Sequence, residues 1–152
     1  MQTKVEKALE NFSNGYNCAQ SVLSAFCEEN GLDLNTAFKL ACGFGGGGMR
    51  YKQTCGAVSG AMMFIGLKCG HYKKGDAEQK KYCYKKIHEF IDKFKEKNKS
   101  TKCRELLGLE KNEKVEEKDQ QQMKTIFTTV CSEYVKIAVQ ILESMEFQEV
   151  NI

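Results

Sequence analysis

Apolar positions recur every three or four residues along most of the chain, the period of helices with one buried face. Val5, Ala8, Leu9 and Phe12 predict a first helix over about Thr3 to Phe12, broken at Ser13-Asn14-Gly15. Ala19, Val22, Leu23 and Phe26 predict a second from Cys18 to about Asn30, with Gly31 placed as a C-cap glycine. A short third helix, Asn35 to about Ala41, leads into the bent loop Gly43-Phe44-Gly45-Gly46-Gly47-Gly48. The fourth, about Cys55 to Lys68, carries Cys55, Val58, Met62, Ile65 and Cys69 as an inward seam and closes at Gly70. Its Gly56, Gly60 and Gly66 cost helix propensity. They also let another backbone approach closely, which predicts a central position.

Asp76, with Gln79 three residues on, opens a fifth helix reaching about Asn98. Cys83, Ile87, Phe90, Ile91 and Phe94 make its inner face. A turn or two of helix at Cys103 to Leu107 is stopped by Gly108, and Leu109 to Lys118 reads as an exposed charged loop. The last helix runs from about Gln120 to Phe147. Ile126, Phe127, Val130, Cys131, Tyr134, Val135, Ala138, Ile141, Leu142 and Met145 form its broad apolar face. No alternating strand pattern of useful length and no long internal repeat is present. The expected fold is all-α, a single-domain helical bundle of about five to seven helices spanning residues 1–152.

A chain of 152 residues, 41% hydrophobic and 28% charged, can bury its own core and has a soluble profile. It has no apolar run of membrane-spanning length. The segment Met1 to Lys7 lacks the apolar stretch of a signal peptide, so a cytoplasmic address is expected. A net charge of +3 does not argue for nucleic acid. The lysines between Lys73 and Lys118 alternate with acidic residues, as on a solvated helix face.

The eight cysteines change the picture. In a reducing compartment structural disulfides are disfavoured, which leaves thiol redox chemistry, a metal or cluster, or plain burial. Successive cysteines are 9, 15, 13, 14, 14, 20 and 28 residues apart, with no C-x₂-C pair. Any site must therefore be assembled from different helices. Cys18 follows the N-cap candidate Asn17, and Cys55 follows Thr54. Cys103 lies between Lys102 and Arg104 at a predicted helix start. Helix N-termini and neighbouring cations lower thiol pKa values, so Cys55 is expected to titrate below the ordinary value of ~8.5. Cys131, on the apolar face of the last helix, is open to three roles: resolving thiol, ligand or packed side chain. Cys27, Cys42, Cys69 and Cys83 sit near apolar stripes and read as core packing.

The glycine loop is followed by Met49-Arg50 rather than Gly-Lys-Ser/Thr, and no strand precedes it. It reads as a tight connection packed against Cys55, not as a phosphate or dinucleotide site. His71 and His88 are too few and too scattered for a histidine metal site, and His88 is expected to be exposed. Neither a Ser-His-Asp arrangement nor H-E-x-x-H is present.

Taken together, Gly15-Tyr16-Asn17-Cys18-Ala19-Gln20-Ser21-Val22-Leu23, the glycine loop, Cys55-Gly56-Ala57-Val58-Ser59-Gly60, Cys103-Arg104-Glu105-Leu106-Leu107-Gly108 and Cys131 resemble the C_GCAxxG_C_C family of redox-active proteins. The resemblance covers about Val5 to Leu142. It implies a four-cysteine site at Cys18, Cys55, Cys103 and Cys131. A similar domain resembles part of split-Soret cytochromes, which implies electron transfer or iron–sulfur ligation, but the C-x-x-C-H haem signature is missing here. Cys27, Cys42, Cys69 and Cys83 are additions to the family pattern and leave open an extra disulfide or a larger thiol cluster.

The leading expectation is a thiol redox protein, a thiol–disulfide oxidoreductase or electron carrier. Cys55 is its thiolate, and one of Cys18, Cys103 or Cys131 resolves the intermediate. The alternative is a metal or iron–sulfur module using the same four cysteines. A third is a helical partner-binding protein with buried cysteines. The partner is a redox protein or a small-molecule oxidant of unknown identity, with no nucleic acid and no membrane span. Cofactor and oligomeric state are not legible from the sequence.

Overall fold

The computed structural model of the protein describes residues 1–48, 51–108 and 125–148. They form helices α1 (Lys4–Ser13), α2 (Cys18–Ser24), α3 (Leu34–Ala41), α4 (Gly56–Cys69), α5 (Ala77–Asn98), α6 (Cys103–Leu106) and α7 (Ser132–Ser144). A π-helical segment, Phe127–Cys131, runs directly into α7. Among the described residues the one extended pairing is an isolated antiparallel bridge between Thr54 and Lys102. The fold is all-α, as expected. No helix among these residues is long and apolar enough to cross a membrane.

Side-chain caps set most of the helix starts. Thr3 and Glu6 form a capping box on α1, and Asn17 and Gln20 form another on α2. Asp33 and Asp76 accept from Thr36 N and Gln79 N at the starts of α3 and α5.

Three element boundaries differ from the sequence expectation. The second helix stops at Ser24, not Asn30. There the Ala25 and Phe26 amides donate to the Val22 and Leu23 carbonyls, which tightens the turn, and a 3₁₀ turn over Glu28–Asn30 follows to Gly31 at φ 80°. The buried Ser24 hydroxyl donates to the Ser21 carbonyl and accepts from Asn11 Nδ2, local bonds that compete with the helical ladder. The fourth helix starts one residue late: Cys55 itself is the N-cap, because Thr54 is taken up in the bridge to Lys102. The last helix contains a π turn that the apolar period did not reveal, and it ends at Ser144 rather than Phe147. Its predicted start near Gln120 and the loop Leu109 to Lys118 lie outside the described residues.

Helix α4 packs against α2, α5 and α7, the central position its glycines predicted. Its burial is broader than one seam. Val58, Ile65 and Cys69 are buried, but so are Ala57, Gly60, Ala61 and Phe64, while Met62 is 36% exposed. A Cβ added at Gly60 would lie 2.6 Å from the Ala19 carbonyl oxygen, and one at Gly56 would lie 3.0 Å from Cys18 Cβ. These two glycines let α2 rest almost backbone to backbone on the first two turns of α4. Phe90 and Phe94 of α5 and Val135 and Val139 of α7 complete the fully buried centre.

Candidate functional site

All four cysteines singled out by the sequence line one cleft of about 750 Å³, although they come from four separate parts of the chain. Cys18 opens α2. The Asn17 side chain that caps this helix also donates through Nδ2 to the Cys42 carbonyl at 2.9 Å. This fastens the glycine loop to the base of α2, and a Cβ at Gly45 would strike Asn17 at 2.5 Å. Gly45 and Gly46 form part of the cleft wall, so the loop is the tight packed connection expected. Cys55 and Cys103 are set by the bridge between Thr54 and Lys102. The Cys55 amide donates to the Thr101 carbonyl at 2.7 Å, and the Cys103 amide donates to the Gln53 carbonyl at 2.6 Å. Each cysteine thus follows directly on a paired residue and turns its side chain into the cleft. Cys131 is the last residue of the π segment. With Cys103 and Leu107 it forms a small buried cluster, against which Phe12, Cys18 and Ile126 pack.

The electrostatics overturn one expectation. Cys55 does not titrate low: burial pushes its thiol up to about 12. The Ala57 and Val58 amides approach the sulfur and pull the other way, as a helix N-terminus should, but make no cap hydrogen bond. With Cys55 only 5% exposed, loss of solvent outweighs the helix terminus. Cys103 is likewise pushed up by burial, to about 11, against the opposing charges of Lys52 and Arg104.

Cys131 is the exception. Its pKa is lowered, chiefly by a hydrogen bond from the Cys18 thiol, with Lys52 adding a smaller favourable charge. The Cys18 thiol is held correspondingly high, first by that same bond and then by burial. The two thiols therefore act on each other, in the direction that favours the proton on Cys18 over Cys131.

Two further residues belong to the cleft. The Lys52 side chain faces the thiols, and the residue is only 3% exposed. Its backbone is in the left-handed region at φ 61°, where the Lys52 amide donates to the Gly46 carbonyl and its carbonyl accepts from the Arg104 amide. A lysine in a polar loop normally signals solvent, so only this backbone conformation marks it. The Tyr134 hydroxyl donates to the Leu106 carbonyl at 2.8 Å, holding α7 against α6 beside the thiols. Burial and then the neighbouring cysteines raise its pKa. In the sequence Tyr134 was one more member of an apolar face.

The remaining cysteines lie outside the cleft lining except Cys42, which sits at its rim and is exposed rather than packed. Cys27, Cys69 and Cys83 are buried, as their apolar settings predicted. His88 is exposed, also as expected. Among the described residues, no group of three or more His, Cys, Asp or Glu side chains is arranged to hold a metal ion.

Fold and cleft together define an all-α protein in which thiols from four distant positions converge. The chain belongs to the C_GCAxxG_C_C family, whose description is "putative redox-active protein" and whose profile matches residues 16–145. No curated protein and no solved structure matches the chain.

Proposed function

We propose that the cleft performs two-electron thiol–disulfide exchange, with Cys131 as the attacking thiolate and Cys18 as the resolving thiol. The observation that carries this reading is that Cys18 packs against buried Cys131 in one cleft, close enough for each to pull the other's thiol in the opposite direction. The Cys131 thiolate attacks one sulfur of an oxidant disulfide, RS–SR. That S–S bond breaks, a mixed disulfide forms on Cys131, and RS⁻ leaves and takes up a proton. The negative charge that held the Cys18 proton in place is then gone. Cys18 loses its proton more readily, attacks Cys131 Sγ and expels the second RS⁻. The protein ends with a Cys18–Cys131 disulfide, and the oxidant has become two RSH. Lys52 favours the thiolate forms of Cys103 and Cys131. Cys55 and Cys103, with thiols pushed up by burial, suit the role of a slower reserve pair. The cleft volume suits a small-molecule disulfide better than a folded partner.

Alkylation of the reduced, metal-free protein at pH 7, followed by peptide mass analysis, tests the assignment. Cys131 should label about tenfold or more ahead of Cys55 and Cys103, since each pKa unit is a tenfold change in thiolate. Oxidation with glutathione disulfide should then yield a linked Cys18–Cys131 peptide. Faster labelling of Cys55 than Cys131 would remove the reading. In the protein as purified, protection of all four thiols that only a chelator lifts would replace it with the metal-binding alternative.

A further inference from the structure

The opposite end of α4 carries a second pair of thiols. Cys69 is the last residue of α4, and Cys83 lies on the second turn of α5, which packs against it. Both are buried, at 1% and 5% exposure, within one apolar cluster, and Cys83 is close enough to raise the Cys69 thiol. Neither lines the cleft. From Cys55 to Cys69 the helix rises about 1.5 Å per residue, which separates the two thiol groups by roughly 21 Å. The connection between α4 and α5, Gly70 to Asp76, is short and its outer residues are exposed. Gln79 Nε2 donates to the Cys69 carbonyl at 2.6 Å, so the end of α4 is already tied to the start of α5. The Cys69 thiol at present donates to the Ile65 carbonyl at 3.2 Å.

We propose that Cys69 and Cys83 form a second dithiol site, independent of the cleft, that is oxidised to a disulfide by anionic low-molecular-weight disulfides. The charge preference comes from Lys73, Lys74, Lys80, Lys81 and Lys85, all exposed around the connection, with Glu78 the exposed acid among them. In the reaction Cys83, the more accessible thiol, attacks RS–SR as its thiolate. The S–S bond breaks, a mixed disulfide forms on Cys83, and RS⁻ leaves and is protonated. Cys69 gives up its proton, attacks Cys83 Sγ and expels the second RS⁻, so two protein thiols are oxidised and one RS–SR becomes two RSH. Burial, and then Cys83, push the Cys69 thiol up to about 12, while Lys86 opposes them, so the second step is slow at neutral pH and quickens as pH rises. The product is a covalent tie across the α4–α5 hairpin.

The test uses the full chain equilibrated with glutathione disulfide and glutathione, quenched, alkylated after denaturation and digested with trypsin. Cleavage after Lys73 and Lys74 separates the two cysteines, so a disulfide appears as two joined peptides. The expected result is a Cys69–Cys83 linkage with Cys27 fully alkylated. The oxidised wild type should also gain about 5 °C or more in Tm over oxidised Cys83→Ser, since closing a loop restricts the unfolded chain. Cationic cystamine at the same concentration should form the link several-fold more slowly. Alkylated Cys69 and Cys83 in protein whose cleft thiols are already oxidised would overturn the proposal, as would an equal Tm in the two proteins. Equal rates with cystamine would overturn the charge preference. Because the readout is the Cys69–Cys83 peptide alone, failure here is distinct from failure of the Cys18–Cys131 assignment.

Discussion

Alanine at Gly66 should stabilise the protein, and alanine at Gly60 should not. Both glycines lie inside α4, where replacing glycine by alanine gains about 1 kcal/mol of helix propensity. At Gly66 nothing lies within 4 Å of the added methyl, so the gain is realised. At Gly60 the methyl meets the Ala19 carbonyl oxygen at 2.6 Å, with Ala19 Cα and Val22 Cβ both at 3.1 Å. The obstruction is backbone, so α2 must shift as a body, and overpacking of this kind costs about 1–3 kcal/mol. Setting that against the propensity gain leaves Gly60→Ala neutral to about 2 kcal/mol less stable, and Gly60→Leu worse. At about 2–4 °C per kcal/mol for a chain of this size, Gly66→Ala melts up to about 4 °C above wild type, and Gly60→Ala level with it to about 8 °C below. Thermal unfolding followed by circular dichroism in reductant measures both. If Gly60→Ala is stabilised as much as Gly66→Ala, the close approach of α2 to α4 is refuted.

Two other expectations concern pH and capping. Cys55 and Cys69 near 12 and Cys103 near 11 keep their protons in the fold at a pH where the unfolded chain has lost them. Their contribution to stability is full below about pH 9 and is lost as pH rises from there toward 12. The Tm of the reduced protein should fall across that range, and less steeply in Cys69→Ala; identical slopes would contradict the burial of Cys69. Asn17→Ala should cost about 1 kcal/mol for the lost cap and more for the bond to the Cys42 carbonyl. The cap at Thr3 has no such second bond from its side chain, so Thr3→Ala is the smaller loss by urea denaturation, and equal losses would deny Asn17 its role in holding the glycine loop.

The helical period exposed the elements because most helices here bury one face. It failed where burial or backbone chemistry departed from that rule. Helix α4 is covered nearly all round, so no seam could be read from it correctly, and Met62 was assigned inward although it is exposed. The π turn inserts its extra residue without any sequence mark such as proline. The four cleft cysteines were identified from helix starts and from family resemblance, yet their relative reactivity was not legible. A helix terminus is local and visible in sequence, whereas desolvation depends on what packs over the sulfur. For Cys55 desolvation wins, and for Cys131 a thiol 113 positions earlier in the chain decides the outcome. The inward turn of the Lys52 side chain is not legible in the sequence, because a polar loop gives no sign of it.

The short pairing of Thr54 with Lys102 has a consequence for the order in which the molecule is made. It closes a loop that contains all of α4 and α5 before the chain returns, so the entropy of that closure must be met before Cys55 and Cys103 are neighbours. Cys18 waits longer still for Cys131, which immediately precedes α7. No stretch of nascent chain short of Cys103 brings two of the four cleft thiols together through this bridge, and none short of Cys131 completes the set. Assembly of the cleft is thus tied to long-range contacts, the slow kind to form. An unfinished chain holds the same cysteines without the partners that set their reactivity, and in this architecture the chemistry arrives only with the fold.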